Sequence, residues 1–361
     1  MKLRGYGVLQ IEPTDLCNLN CKMCKPHAEK WDSIHSIVKG YLDVGLWRKI
    51  VQNFRAETIT WDHIIFQWLG DPLLHPEIDR LIEITAEEIG GQVGYLRIDS
   101  NMIALDERRM LRLLDVSQRT NTPILMVASL DAASEEVYQK VKGQPRLRLV
   151  QENLRRFLRY RNKLRAPINL QVQFVVQKEN AMEAKDFLEY WLDLLRCQGG
   201  ELWHDEILFK RLSVDGGGEG QAEADRIYQR HILDEGIRER KQNGIQIHVW
   251  ETRPWQQDDE HQAMRTACPG LWMTPVIRHD GHLMMCCADL QGEMNLGSLQ
   301  QNSFLQLWNG SRARELRAQH LAGTFQGVCE GCGGINWYQL PENPASTIES
   351  KCDDRSNREL G

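Results

Sequence analysis

No apolar run in the 361 residues approaches the roughly 18 that a membrane span needs; the longest, such as Pro123–Leu130, have strand length. A secretory signal is also missing. Glu12 and Asp15 interrupt the amino-terminal segment before a hydrophobic stretch of signal length can form, so the cytoplasm is the expected compartment. Nor is there an excess of positive charge. The chain has 44 Lys+Arg against 50 Asp+Glu, a formal net charge of −6, which argues against a basic face built for nucleic acid. Internal repeats and low-complexity tracts are absent. A hydrophobic share of 42% and a charged share of 26% exclude global disorder. Cysteine is scarce only in the middle, where Cys197 stands alone between Cys24 and Cys268.

Short apolar runs alternate with amphipathic stretches over the first two hundred residues. Val8–Ile11, Ile64–Trp68, Gly94–Ile98, Ile124–Ala128 and Leu170–Val176 read as strands, with a weaker sixth at Ile207–Phe209. Leu46–Phe54, Glu77–Glu88, Asp106–Asp115, Leu147–Asn162 and Ala181–Cys197 space their apolar residues by three and four, as amphipathic helices do. Strand–helix alternation predicts an α/β fold with a parallel sheet. Six units are too few for a closed eight-stranded barrel, which leaves an open partial barrel or a doubly wound sheet. Val214–Gly220 breaks the pattern. Its three adjacent glycines lie between Asp215 and Glu219, which would repel phosphate, so a linker is expected there. A helical stretch is expected at Ala222–Asn243. From Cys268 a smaller unit follows, with strands at Thr274–Arg278 and His282–Cys286 across the Asp280-Gly281 turn and a helix near Ser303–His320. From Pro341 the chain is polar and reads as a loose tail.

The ten cysteines group at the two ends of the sequence. In a reducing compartment, clustered thiols point to metal ligands or catalysis before disulfides. Cys17, Cys21 and Cys24 form C-x3-C-x2-C directly after the first strand, on the kind of loop where barrel enzymes keep their chemistry. Three thiolates can hold three irons of a 4Fe–4S cluster and leave the fourth open to a small ligand. A Cys3His zinc site using His27 stays open as the alternative.

The segment from Ile11 through Cys24 resembles the signature loop of the radical S-adenosylmethionine (SAM) superfamily. Gly70-Asp71-Pro72 resembles that family's Gly-Gly-Glu-Pro motif, with Leu69 for the first Gly and Asp71 for Glu. The resemblance implies that Gly70 and Asp71 hold the SAM amino group. It also puts Ser100 and Asn101 near the methionine and ribose, and Ser129 and Asp131 at the ribose. Gln173, with Gln171, would line the adenine side, and Met23 would sit beside adenine. Read as residues alone, Asp71-Pro72 is a turn, Ser100-Asn101 a helix cap, and Ser129 with Asp131 the cap of a helix near Ser134. Their shared position, just past successive strand ends, favours the family reading.

Cys268, Gly281 and Cys286 give C-x12-G-x4-C, and Cys329 with Cys332 adds C-x2-C. Alone, a hairpin plus C-x2-C fits a zinc ribbon equally well. Beside a radical SAM domain it resembles the twitch and SPASM auxiliary-cluster domains, and a second 4Fe–4S cluster is then implied on these four cysteines. Cys287 falls on the opposite strand face and reads as packing.

The predicted architecture is therefore a partial (β/α)6 TIM-like barrel with a small C-terminal twitch/SPASM-like domain. Its parts are a radical SAM core (1–215), a linker and helical connection (216–267), an auxiliary cluster domain (268–340) and a polar tail (341–361). The resemblance implies that an electron from a flavodoxin- or ferredoxin-type donor reaches the first cluster and cleaves SAM to a 5′-deoxyadenosyl radical. That radical takes a hydrogen atom from the substrate. The auxiliary cluster would accept an electron, as in dehydrogenases of aminocyclitol biosynthesis. A proton acceptor is then needed, and Lys210 and Arg211, with His204 and Asp205, lie around the sixth strand. A first strand beginning at Val8 leaves no room ahead of it for a leader-binding domain. That favours a sugar- or aminocyclitol-like substrate over a ribosomal peptide. A non-catalytic zinc protein is the alternative of another class.

Overall fold

The computed structural model describes residues 7–24, 40–198, 203–213, 218–250, 267–330, 332 and 334. His27, Val214–Gly217, Cys352 and the expected tail lie outside the described residues.

Six parallel strands follow one another in chain order: β1 (Val8–Ile11), β2 (Trp61–Phe66), β3 (Val93–Ser100), β4 (Ile124–Ser129), β5 (Ile168–Val176) and β6 (Glu206–Arg211). Helices α1 (Val44–Ala56), α2 (Ile78–Ile89), α3 (Glu107–Thr120), α4 (Glu135–Lys142), α5 (Leu147–Leu164) and α6 (Ala184–Cys197) connect them. Starts and stops follow capping chemistry. Asp43 accepts from the Leu46 amide at 2.7 Å, Asp106 from Arg109 at 2.8 Å and Ser134 from Val137 at 3.3 Å. Gly143 ends α4 at φ +84°, and a Cβ there would come within 2.9 Å of the Asn20 carbonyl oxygen.

Alternation along the strands sorts the side chains. Leu9, Ile64, Leu96, Met126, Leu170 and Ile207 are buried and join Trp47, Phe54, Leu113, Phe157 and Phe187 of the helices in one core. Their neighbours in sequence, including Arg97, Asp99, Gln171, Gln173 and Glu206, point to the other, concave face. Asp205, at the start of β6, forms a fully buried bidentate pair with Arg161 of α5 at 2.6 and 2.9 Å and accepts from the Leu170 amide at 2.8 Å.

The sheet continues beyond the six strands at both edges. Helix α7 (Gly218–Tyr228) leads to a hairpin of β7 (Arg240–Gln242) and β8 (Ile245–Val249), whose second strand runs parallel to β6. Strand structure therefore replaces the distal part of the helical stretch expected over Ala222–Asn243. At the other edge, α8 (Gly270–Met273) precedes β9 (Val276–Ile277), which pairs parallel to β1; β10 (His282–Met284) and β11 (Asn295–Ser298) follow antiparallel. Among the described residues the result is one eleven-stranded sheet ordered β11-β10-β9-β1-β2-β3-β4-β5-β6-β8-β7. The helix expected at Ser303–His320 is two, α9 (Phe304–Trp308) and α10 (Ser311–Leu321), broken at Asn309-Gly310. No described helix is long and apolar enough to cross a membrane.

Candidate active site

Cys17, Cys21 and Cys24 stand on the loop leaving the carboxyl end of β1, each partly exposed. A turn from the Cys24 amide to the Cys21 carbonyl (3.0 Å) folds the loop back. Three neighbouring segments hold the loop. The Asp71 amide donates to Leu16 at 2.8 Å, and a Cβ on Gly70 would strike the carbonyl oxygens of Thr14 and Leu16, so only glycine allows this approach. Asn101 donates to Asn18 at 2.7 Å and lies 4.0 Å from the Cys17 sulfur. The end of α4 closes the third side. There the Lys22 amide donates to Val141 and Gln144 to the Asn18 carbonyl, both at 3.0 Å.

Asp71 is buried and fully engaged. It accepts from Ser100 Oγ (3.0 Å), the Asn101 amide (2.8 Å) and the Leu73 amide (3.0 Å). It thus fixes the end of β3 against the cysteine loop. Asp131 is also buried, with φ +61°, and accepts from the Val175 amide at 2.6 Å. Its other oxygen meets Lys142 Nζ at 2.5 Å, an ion pair closed to solvent on both sides. Asp131 therefore anchors α4 to the end of β5. Lys142 is a residue that the sequence motifs did not single out. Burial opposes its charge, but Asp131 and Cys21 more than offset that and keep it protonated. Burial, then the Asp71 carboxylate, push the Cys17 thiol up to about 12, so ligation there depends on iron to displace the proton.

Ser129 and Gln173 are register partners on β4 and β5, with Gln173 Nε2 3.4 Å from Ser129 Oγ. Met23 lies 3.6 Å from Gln177 Nε2 and, with Leu212, Ala224 and Ile227, lines a cavity of about 290 Å³.

The concave face of the sheet is polar. Arg97 holds Asp99 through two bonds of 2.6 and 2.7 Å, and His63 stacks on Tyr95 at 4.6 Å. Glu206 accepts from Gln171 and faces His248 Nε2 at 3.6 Å, while His248 Nδ1 lies 3.4 Å from Glu239. Burial pushes the Glu206 carboxyl up, but His248, Gln171 and Arg97 together hold it below the usual range. Lys210 belongs to this face, its Nζ 4.6 Å from the Trp250 ring centroid. Arg211 does not; it points outward and pairs with Asp225 of α7 at 3.0 Å. His204 and Asp205 precede β6; Asp205 is committed to Arg161, and the His204 amide donates to Asn169. Of Glu206, His248, Arg97 and Asp99, only Arg97 falls within an expected strand, and no sequence motif marks any of them.

In the smaller unit, Cys268, Cys286 and Cys329 are buried and Cys332 partly so. Among the described residues, no three or more His, Cys, Asp or Glu side chains are gathered for a single metal ion. The donor sets, three thiols on the β1 loop and four in the smaller unit, have the chemistry of iron–sulfur ligation.

The model of the radical SAM superfamily matches residues 11–190, and that of the SPASM domain, an iron–sulfur cluster-binding domain, residues 268–333. The chain belongs to the radical SAM superfamily. Such a domain carries a 4Fe–4S cluster and SAM, and a SPASM domain an auxiliary iron–sulfur cluster. Solved structures with this fold include anSMEcpe with bound AdoMet (TM-score 0.57, 15% identity, covering 91% of this chain and 86% of that one). BtrN in complex with AdoMet and 2-DOIA has a TM-score of 0.50 at 15% identity, covering 91% and 93%. Streptococcus suis SuiB bound to its precursor peptide SuiA has a TM-score of 0.53 at 13% identity; 84% of this chain covers 64% of SuiB, less than two thirds. At these identities the likeness is one of fold. No curated protein sequence is a significant match.

Proposed function

We propose that this radical SAM enzyme is an oxidoreductase acting on a small polar natural product, sugar- or aminocyclitol-like, in the cytoplasm and with a flavodoxin- or ferredoxin-type electron donor. Cys17, Cys21 and Cys24 would hold the SAM-binding cluster. Gly70, Ser100, Asn101, Ser129, Gln173 and Met23 would surround SAM, with Asp71 and Asp131 bracing that wall. Cys268, Cys286, Cys329 and Cys332 would hold the auxiliary cluster. When bound, these groups supply reductive cleavage of SAM, abstraction of a substrate hydrogen atom and a sink for the remaining electron.

The polar concave face carries the substrate reading. A floor of Arg97, Asp99, Gln171, Glu206 and His248 offers donors and acceptors suited to hydroxyl and amine groups. Oxidation also requires a proton acceptor. A guanidinium cannot take a proton, and Arg211 is committed to Asp225. Lys210 packs its Nζ over the Trp250 ring. Glu206, held ionised, with His248 beside it, is the better acceptor. Glu206→Gln is expected to lower product formation by roughly 10²-fold or more while 5′-deoxyadenosine still forms.

Modification of a ribosomally made peptide is the second reading, favoured by the shared fold of SuiB and its peptide complex. Anaerobic turnover with SAM and dithionite separates the two. A loss of two mass units in a polar metabolite supports the first reading, and a mass change in a peptide encoded beside the enzyme supports the second.

A further inference from the structure

One buried imidazole takes no part in the chemistry above. His320 lies in the last turn of α10, and its ring touches both halves of the auxiliary cysteine set. The Cys268 amide donates to Nδ1 at 3.4 Å, and Nε2 lies 3.3 Å from the Cys329 sulfur. An amide N–H can only donate, so Nδ1 is the acceptor and the neutral ring carries its proton on Nε2, directed at sulfur. Phe325 packs edge-on against the ring at 4.9 Å and 89°, which fixes its plane. Two of the other thiols accept from backbone amides. Cys286 accepts from the Ala288 amide and Cys332 from the Gly334 amide, each at 3.4 Å, whereas Cys329 faces a side chain.

We propose that His320 is a positioning residue for the auxiliary cluster, donating Nε2–H to the Cys329 thiolate and raising the cluster's reduction potential. A hydrogen bond to a ligating sulfur withdraws negative charge and favours the reduced, more negative cluster. The same ring joins Cys268 to Cys329 across the sequence gap between the hairpin and the C-x2-C knuckle. The benefit to catalysis rests on the electron-accepting role proposed above; the hydrogen bond does not.

The test uses full-length holoenzyme with both clusters. In His320→Phe the auxiliary potential should fall so that reduction is about tenfold less favourable, about 59 mV for one electron, with the SAM-binding cluster unmoved. In His320→Gln, whose amide both accepts and donates, the potential should return toward wild type. Unchanged potential in His320→Phe with iron retained would overturn the proposal, as would loss of auxiliary iron in His320→Gln. Should the Phe variant not load, wild-type enzyme with ¹⁵N-histidine decides by electron–nuclear double resonance of the reduced auxiliary cluster. A weak, through-hydrogen coupling is expected; a strong coupling, meaning direct ligation, or none at all contradicts it. An enzyme that shows the shift but oxidises no small molecule would refute the substrate reading and leave His320's role intact.

Discussion

Cys17, Cys21 and Cys24 are all partly exposed, whereas in the auxiliary set Cys268, Cys286 and Cys329 are buried and Cys332 alone is partly exposed. The first group stands on a single loop held by β2, β3 and α4; the second joins a hairpin to a knuckle through His320. The two sites also differ in their nearest side-chain support. Behind the first lies a buried charge pair, Lys142 with Asp131, and within the second a neutral imidazole. An open iron must admit a ligand and so needs a rigid wall with an accessible face. A closed cluster that only exchanges electrons can be enclosed and adjusted by hydrogen bonds to sulfur.

This contrast can be broken at either site. The largest effect is expected from replacing Cys329 and Cys332 together by Ala. Product formation should stop and about half of the iron be lost, while 5′-deoxyadenosine still forms, because only the closed site is removed; iron analysis and product chromatography check this. Next is Lys142→Met, which leaves Asp131 buried without its partner. A loss of about 3–5 kcal/mol is expected in denaturant unfolding, together with poorer retention of the SAM-binding cluster and no change at the auxiliary one. The smallest concerns His63 on the concave face. Burial, then Arg97, lowers its pKa from 6.5 to about 4. The unfolded chain therefore binds the extra proton first, and stability present above pH 6.5 is lost as pH falls toward 4. His63→Phe, which keeps a ring against Tyr95, should flatten that part of the unfolding profile; an unchanged slope would show that His63 does not titrate this way.

The six strands β1–β6 were legible because their outward residues are apolar and their helices carry a regular stripe. The β7–β8 hairpin was not. Its first strand, Arg240-Lys241-Gln242, has no apolar residue and sits at a sheet edge, so neither period marks it. The cysteine spacings pointed to both sites directly. The side chains behind them did not show, because Lys142 reaches Asp131, and His320 reaches Cys268, only through folding. The strand-end position of Asp131 is plain in sequence, but its burial and left-handed backbone are not. Polar residues on the concave face belong to no motif, and which face is concave depends on the curl of the whole sheet.

The most direct test is anaerobic reconstitution of wild type beside a variant with Cys17, Cys21 and Cys24 all replaced by Ala, scored for iron, zinc and 5′-deoxyadenosine under dithionite. Wild type should hold roughly eight irons and cleave SAM; the variant should keep about half the iron and cleave none. Zinc in place of iron, or 5′-deoxyadenosine from the triple variant, would contradict an open iron on that loop.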